Sequence, residues 1–307
     1  MRQFSMDGRP RRLRVSLLFA TLCLEASRVS SAQPAMPPQC QFAAPLVRIA
    51  ELPEASGIAI SRRSPGRLWA HNDSGEPALV ALDTQGSVSA RIRLTGITVD
   101  DWEAVAVGAC PEGSCVYIAD IGDNEANRKH ITIHRVAEPF AGNSVPIDET
   151  FHATYPDGAH DAETLLVAPD GRLFIVTKGE TGAVGLYRFP QELRAGTTHQ
   201  LERVGKPRES EKVSDSERIT DGAVSVDGMW VVLRTRQELA FHRAADLLAG
   251  NWREAGRVDV KGAGEPQGEG VAIGADGTVY LAGEGGGKSQ PGTFAIFACS
   301  MNARVQR

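Results

Sequence analysis

One phrase recurs along this chain, and no other feature narrows the possible fold so far. Its clearest copy reads Asp101-Trp102-Glu103-Ala104-Val105-Ala106-Val107, turns, and resumes as Val116-Tyr117-Ile118-Ala119-Asp120. It returns at Asp161-Ala162-Glu163, with an Asp170-Gly171 turn before Leu173, and at Gln267-Gly268-Glu269, with an Asp276-Gly277 turn before Val279. Weaker copies open at Ser56 and Thr220. Each copy is an apolar run, a turn and a second apolar run, which reads as strand–turn–strand. The openers Ser56, Glu103, Glu163, Thr220 and Glu269 stand 47 to 60 residues apart. A multi-stranded repeat of that length marks a β-propeller blade; an open sandwich explains neither the period nor the way the ends meet.

The expected fold is therefore all-β: one propeller of five four-stranded blades. In the first repeat the strands fall at 57–60, 68–71, 78–83 and 88–94; in the second, at 104–107, 115–120, 130–136 and 150–155. The last repeat supplies three strands, ending at 293–299, and the unassigned run 46–52 is placed to complete it. A blade built from both chain ends leaves no open sheet edge. Helix is expected only at 244–248, with one turn at 191–194. Residues 1–32 are assigned to a leader, 33–45 to a Pro/Ala/Gln-rich linker, 46–300 to the propeller and 301–307 to a tail.

The leader follows from Arg9, Arg11, Arg12 and Arg14 ahead of a short apolar run, then Ser30-Ser31-Ala32 as a cleavage site. The run falls short of the roughly 20 residues that span a bilayer, so export to the periplasm or outside is expected, with no membrane span. A net charge of −5 with no basic stripe past the leader excludes a nucleic-acid partner. Four cysteines follow the leader, an even number that suits an oxidising compartment. Cys110 and Cys115 flank a turn and pair locally; Cys40 and Cys299 then pair by exclusion, bringing the two ends together. The chain reads as a monomer with a small-molecule or protein ligand at the propeller mouth.

That mouth is where the chemistry collects. The innermost strand of a blade starts, and the second strand ends, at one end of the central channel. Glu103, Glu163, Glu269, Asp120, Asp73 and Asn72 are therefore candidate ligands for a hard cation, with calcium the cofactor that suits six to eight oxygens. The alternative is internal neutralisation, with Lys178 and Arg234 pairing the acids and backbone amides of neighbouring blades binding them. Lys178, Arg234, His71 and His160 are also the candidate anion- or substrate-binding groups, the two histidines as bases. Trp102 is expected to pack between blades rather than stack on a ligand. No Gly-x-Ser-x-Gly elbow is present. Gly283–Ser289 ends in Gly-Lys-Ser but lacks the spacing and the helix of a phosphate loop.

The phrases Asp101-Trp102-Glu103-Ala104-Val105, Tyr117-Ile118-Ala119-Asp120-Ile121-Gly122-Asp123-Asn124, Asp161-Ala162-Glu163 and Val176-Thr177-Lys178 resemble a group of exported bacterial propellers near the TolB-like proteins. More distantly they resemble the β-propeller and esterase-like phytases. The resemblance implies a propeller whose acidic mouth holds calcium, and six blades, the sixth within 196–219. For a phytase it implies phosphate-binding cations, here Lys178, Arg234, Arg236, Arg128 and Lys129. For a lactonase-type metal site it implies Glu103, Asn72 or Asn124, and Asp221. The functional expectation is an exported propeller with an acidic, calcium-suited mouth; the alternative is a divalent-metal-dependent hydrolase of the phosphoesterase or lactonase kind.

Overall fold

The structure is a computed structural model, and it describes residues 1, 3, 37–138, 142–205, 212–287 and 289–301. The chain divides into two compact units, Met1–Pro34 and Ala35–Arg307. The expected leader lies almost wholly outside the described residues, and the tail at 302–307 does so entirely.

The second unit is built from short strands. β1 (Gln39–Ile49) comes first. The first blade follows as β2 (Ala55–Ile60), β3 (Arg67–Asn72), β4 (Ala78–Asp83) and β5 (Val88–Thr95), in that spatial order. The second blade takes β6 (Trp102–Gly108), β7 (Cys115–Asp120) and β8 (Ile131–Ala137). The chain then crosses back, so that β9 (Ser144–Pro146) pairs parallel with β5, before β10 (Glu149–Thr154) pairs antiparallel with β8. The third blade is β11 (Ala162–Val167), β12 (Leu173–Thr177) and β13 (Leu186–Arg188). Again the chain lends a strand backwards: β14 (Thr198–Gln200) pairs parallel with β10, and β15 (Glu202–Gly205) completes the third blade. The fourth is β16 (Asp221–Val224), β17 (Trp230–Arg234), β18 (Glu238–Arg243), the short α1 (Ala244–Leu247) and β19 (Glu254–Asp259). The fifth is β20 (Gln267–Ile273), β21 (Thr278–Glu284) and β22 (Gly292–Ser300), with β1 outermost against β22.

The fold is thus an all-β propeller of five blades, each with four strands of its own. The inner strands neighbour one another in the order β2, β6, β11, β16, β20, and β20 neighbours β2. Five apolar clusters fill the five gaps between adjacent blades. Central strands such as β7, β12 and β17 are therefore buried on both faces, which accounts for continuous apolar runs where a half-exposed strand would alternate. Where inner strands crowd, only glycine fits: a Cβ on Gly270 would lie 2.9 Å from Ile58 N and 3.0 Å from Ser56 O of the first blade.

Three expectations change. β1 begins at Gln39, so the strand expected at 46–52 starts seven residues earlier and takes in much of the proposed linker. The turn expected at 191–194 is a bend and not helix, and α1 stands as expected. Residues 198–205 pair into the second and third blades, which takes up part of the stretch held back for a sixth blade, and residues 206–211 of that stretch lie outside the described residues. Both disulfides form, Cys40–Cys299 between register partners of β1 and β22, and Cys110–Cys115 across the hairpin of the second blade. Among the described residues no helix is long and apolar enough to cross a membrane.

Candidate functional site

All five repeat openers line one cavity of about 300 Å³ at the end of the ring where the inner strands begin. Local backbone explains their aim. The β2–β3, β6–β7, β11–β12 and β20–β21 ladders each shift register at the opener, around Ser56, Glu103, Glu163 and Glu269. A bulge bends the strand and redirects the side chain at that position, here into the channel. Thr220 differs, because it directly precedes β16, whose ladder is regular.

Seven carboxylates line the cavity: Asp73, Asp101, Glu103, Glu163, Glu180, Glu269 and Glu284. Against them stand Lys178, Arg218 and Arg236, with Ser56, Asn124, Thr220 and Gln267 as neutral polar groups and, among the described residues, no aromatic ring. The wall is thus acidic in excess. Lys178 takes up part of that excess by pairing with Glu163, with Asp161 at 3.4 Å and with Glu180 at 3.7 Å. Burial opposes charge on Lys178, but Glu163 and Asp161 more than compensate and raise its pKa. Arg218 stands 3.1 Å from Glu180.

The opposite wall has less compensation. Burial first, and Glu163 second, push the Glu103 carboxyl well above the ordinary range. The Ser56 hydroxyl donates to Glu103 Oε2 and to its backbone carbonyl, both at 2.9 Å, and so ties the first blade to the second. Burial, then Asp161 and Asp73, raise Asp101 to about 6. Burial raises Glu269 to about 7 with Glu284 adding, and burial with Asp73 raises Glu284. Glu103 Oε1 and Asp101 Oδ2 both press against Gly122, whose missing side chain leaves room for the two carboxylates.

The structure therefore brings Glu103, Glu163, Glu269, Asp73 and Lys178 together, and separates the remaining candidates from them. Asp120 faces the loop before β6, accepting the N–H groups of Asp100 (3.0 Å) and Asp101 (3.2 Å) and pairing with Arg128 at 2.7 Å. Asn72 ties down the chain leading into β2, accepting from Glu54 N–H and donating to Glu51 O, both at 3.0 Å. Arg234 is fully buried and joins the fourth blade to the fifth, donating to Gly270 O (2.5 Å), Ala282 O (2.9 Å) and Glu265. His71 is sealed beneath Trp102 and held near pKa 4 by burial. His160 turns outward to Asp157 and the Tyr187 hydroxyl, each at 3.0 Å. Trp102 is fully buried in the first–second blade gap, as expected. Asp221 accepts the Val271 N–H at 2.7 Å, a blade staple rather than a cavity group.

Sequence reasoning did not assign Asp101, Glu180 or Arg218 to the site, and it put Glu284 at a second-strand end beside the mouth without naming it a ligand. Asp101 carried a usable signal: it lies two residues before Glu103, the strand spacing for one face. Glu180 and Arg218 sit in loops whose direction no repeat specifies.

Among the described residues, the one group of three or more His, Cys, Asp or Glu whose ligand atoms all lie within 4.8 Å of one another is Cys110, Glu112 and Cys115. Both of its sulfurs are in the disulfide, so it is no metal centre.

No family model matches the chain, and no curated protein matches it. Solved structures are similar. One is a gluconolactonase from Xanthomonas campestris, at 11% identity over 87% of this chain and 99% of that one, with TM-score 0.44. Another is the PQQ-bound aldose sugar dehydrogenase from Streptomyces coelicolor, at 12% identity over 87% and 100%, with TM-score 0.49. A third is a protein of unknown function from Bacteroides caccae, at 10% identity over 76% and 72%, with TM-score 0.40. At this distance they carry no argument about activity, and they lend none to the TolB-like or phytase resemblance.

Proposed function

We propose that this is an exported binding propeller whose acidic mouth captures a hard divalent cation, calcium being the best suited. In this reading the pairing of β1 with β22 and the Cys40–Cys299 bridge close the ring. The observation that carries the proposal is the convergence of five blade openers on one cavity where seven carboxylates face three cations. The donor set is all oxygen, as calcium and magnesium require. Lys178 pairs directly with Glu163, so the cation belongs with Asp73, Asp101 and Glu103, where burial and mutual repulsion raise Asp101 and Glu103 against the partial offset of Arg128 and Lys178. Because those oxygens are not gathered into a tight cage, water would complete the coordination.

A divalent-metal-dependent hydrolase of phosphoesters or lactones is the second reading. Asp101, raised to about 6, favours it as a cavity base poised near neutral pH. Among the described residues no imidazole lines the cavity to do that work. Titration of the chelated protein with calcium, followed by phosphoester and lactone assays on the loaded protein, separates the two. Saturable binding without turnover supports the binding role, turnover supports the hydrolase, and no calcium binding rejects both.

A further inference from the structure

Two histidines meet on the outer half of the second blade, away from the channel. His130 directly precedes β8, and His152 lies on β10 opposite Thr132. Residues two apart along a strand share a face, so His130 and Thr132 face the same side of the sheet as His152. The register makes His130 and His152 diagonal neighbours across the ladder, about 7–8 Å apart at the backbone, a gap that ring side chains close. The two rings are in contact, with centroids 4.8 Å apart and planes at 76°. Neither lines the acidic cavity.

The ring nitrogens are open to a ligand. His152 Nδ1 stands 3.1 Å from Thr132 Oγ1. With Nδ1 as the donor, that bond orients the ring and leaves the lone pair of Nε2 free. His130 is exposed, and among the described residues it meets only the His152 ring, so it can turn a nitrogen toward His152 Nε2.

We propose that His130 and His152 together bind a borderline divalent cation of the zinc, nickel and copper group, each through one ring nitrogen. Metal–nitrogen bonds of about 2.0–2.1 Å place the two nitrogens roughly 3–4 Å apart, within the play of rings whose centroids are 4.8 Å apart. Imidazole suits these ions, whereas calcium and magnesium seek oxygen, so this site is independent of the mouth and selects a different metal. Among the described residues no third His, Cys, Asp or Glu gathers with the pair, so water completes the coordination.

The test is calorimetric titration of zinc into the full chain at pH 7.5, where an ordinary imidazole is mostly neutral, with calcium in excess to occupy the mouth. The expected result is a saturable zinc site at least about tenfold weaker in His130→Ala and in His152→Ala. Thr132→Val, which keeps the shape but removes the bond that orients His152, should weaken it about tenfold, and His199→Ala, on the opposite face of the same sheet, should leave it unchanged. His130 is exposed and outside any strand, so its variant decides the question even if His152→Ala does not fold. Absence of saturable zinc binding, or unchanged affinity in His130→Ala, overturns the proposal.

Discussion

Replacing Glu269 with glutamine should make the protein more stable in alkaline solution and leave it unchanged in acid. Glu269 is only 5% exposed, and its pKa is held from 4.5 up to about 7, chiefly by burial. The sign follows from which state binds the proton more tightly. Below pH 4.5 both folded and unfolded chains carry it, and the group contributes nothing to the difference. As pH rises from 4.5 the unfolded chain releases the proton first, so native stability falls until the folded group also ionises near 7, and is flat above that. The gap between those values corresponds to about 3 kcal/mol of stability lost in the native protein. Glutamine keeps the shape and can still meet Gln267, but has no charge to bury. The assay is urea unfolding of both proteins at pH 4 and pH 9 with chelator present. The expected result is near-equality at pH 4 and an advantage for Glu269→Gln of up to about 3 kcal/mol at pH 9. Equal or lower stability of the variant at pH 9 would refute the idea that the mouth holds uncompensated acid.

Arg234→Met should cost about 3–5 kcal/mol, because it strands Glu265 and two carbonyls between blades; calcium affinity, measured by calorimetry on the folded fraction, should not change. Glu138 accepts Ser61 Oγ (2.7 Å), Ser114 Oγ (2.7 Å), Arg62 N–H (2.8 Å) and Trp69 Nε1 (3.2 Å). Glu138→Ala leaves these donors buried and should lower stability by at least about 3 kcal/mol in chemical denaturation. Cys40→Ser opens a bridge spanning 259 residues. In the chain-entropy model this costs about 5 kcal/mol, read as a fall in melting temperature, and an unchanged melting temperature would remove the bridge from the account.

The blade count, most strand positions and both cysteine pairs were readable, because each depends on local periodicity or simple exclusion. The convergence of Ser56, Glu103, Glu163, Thr220 and Glu269 was readable too, since a repeat places equivalent residues equivalently. What sits behind the convergence was not. Asp120 and Asn72 end second strands beside the mouth, yet each turns to backbone groups of its own entry loop. Arg234 suited both a substrate-binding cation and an internal partner, and its bonds to Gly270 O and Ala282 O make it a link between blades. His71 and His160 were both expected near the mouth, but His71 packs against Trp102 and His160 meets Asp157 and Tyr187. The bulges that aim the openers depend on pairing across the hairpin, which one strand's sequence does not reveal. Strands lent backwards, β9 and β14, were missed because three residues carry no period.

Isothermal titration of calcium into the chelated protein, run beside Glu103→Gln, tests the central claim most directly. The account predicts one saturable site in the native chain, with heat that varies with buffer because calcium displaces protons from Asp101 and its neighbours. It also predicts at least about tenfold weaker binding in the variant, the loss of one charged ligand interaction. No calcium heat in the native chain, or identical affinity in Glu103→Gln, would contradict it.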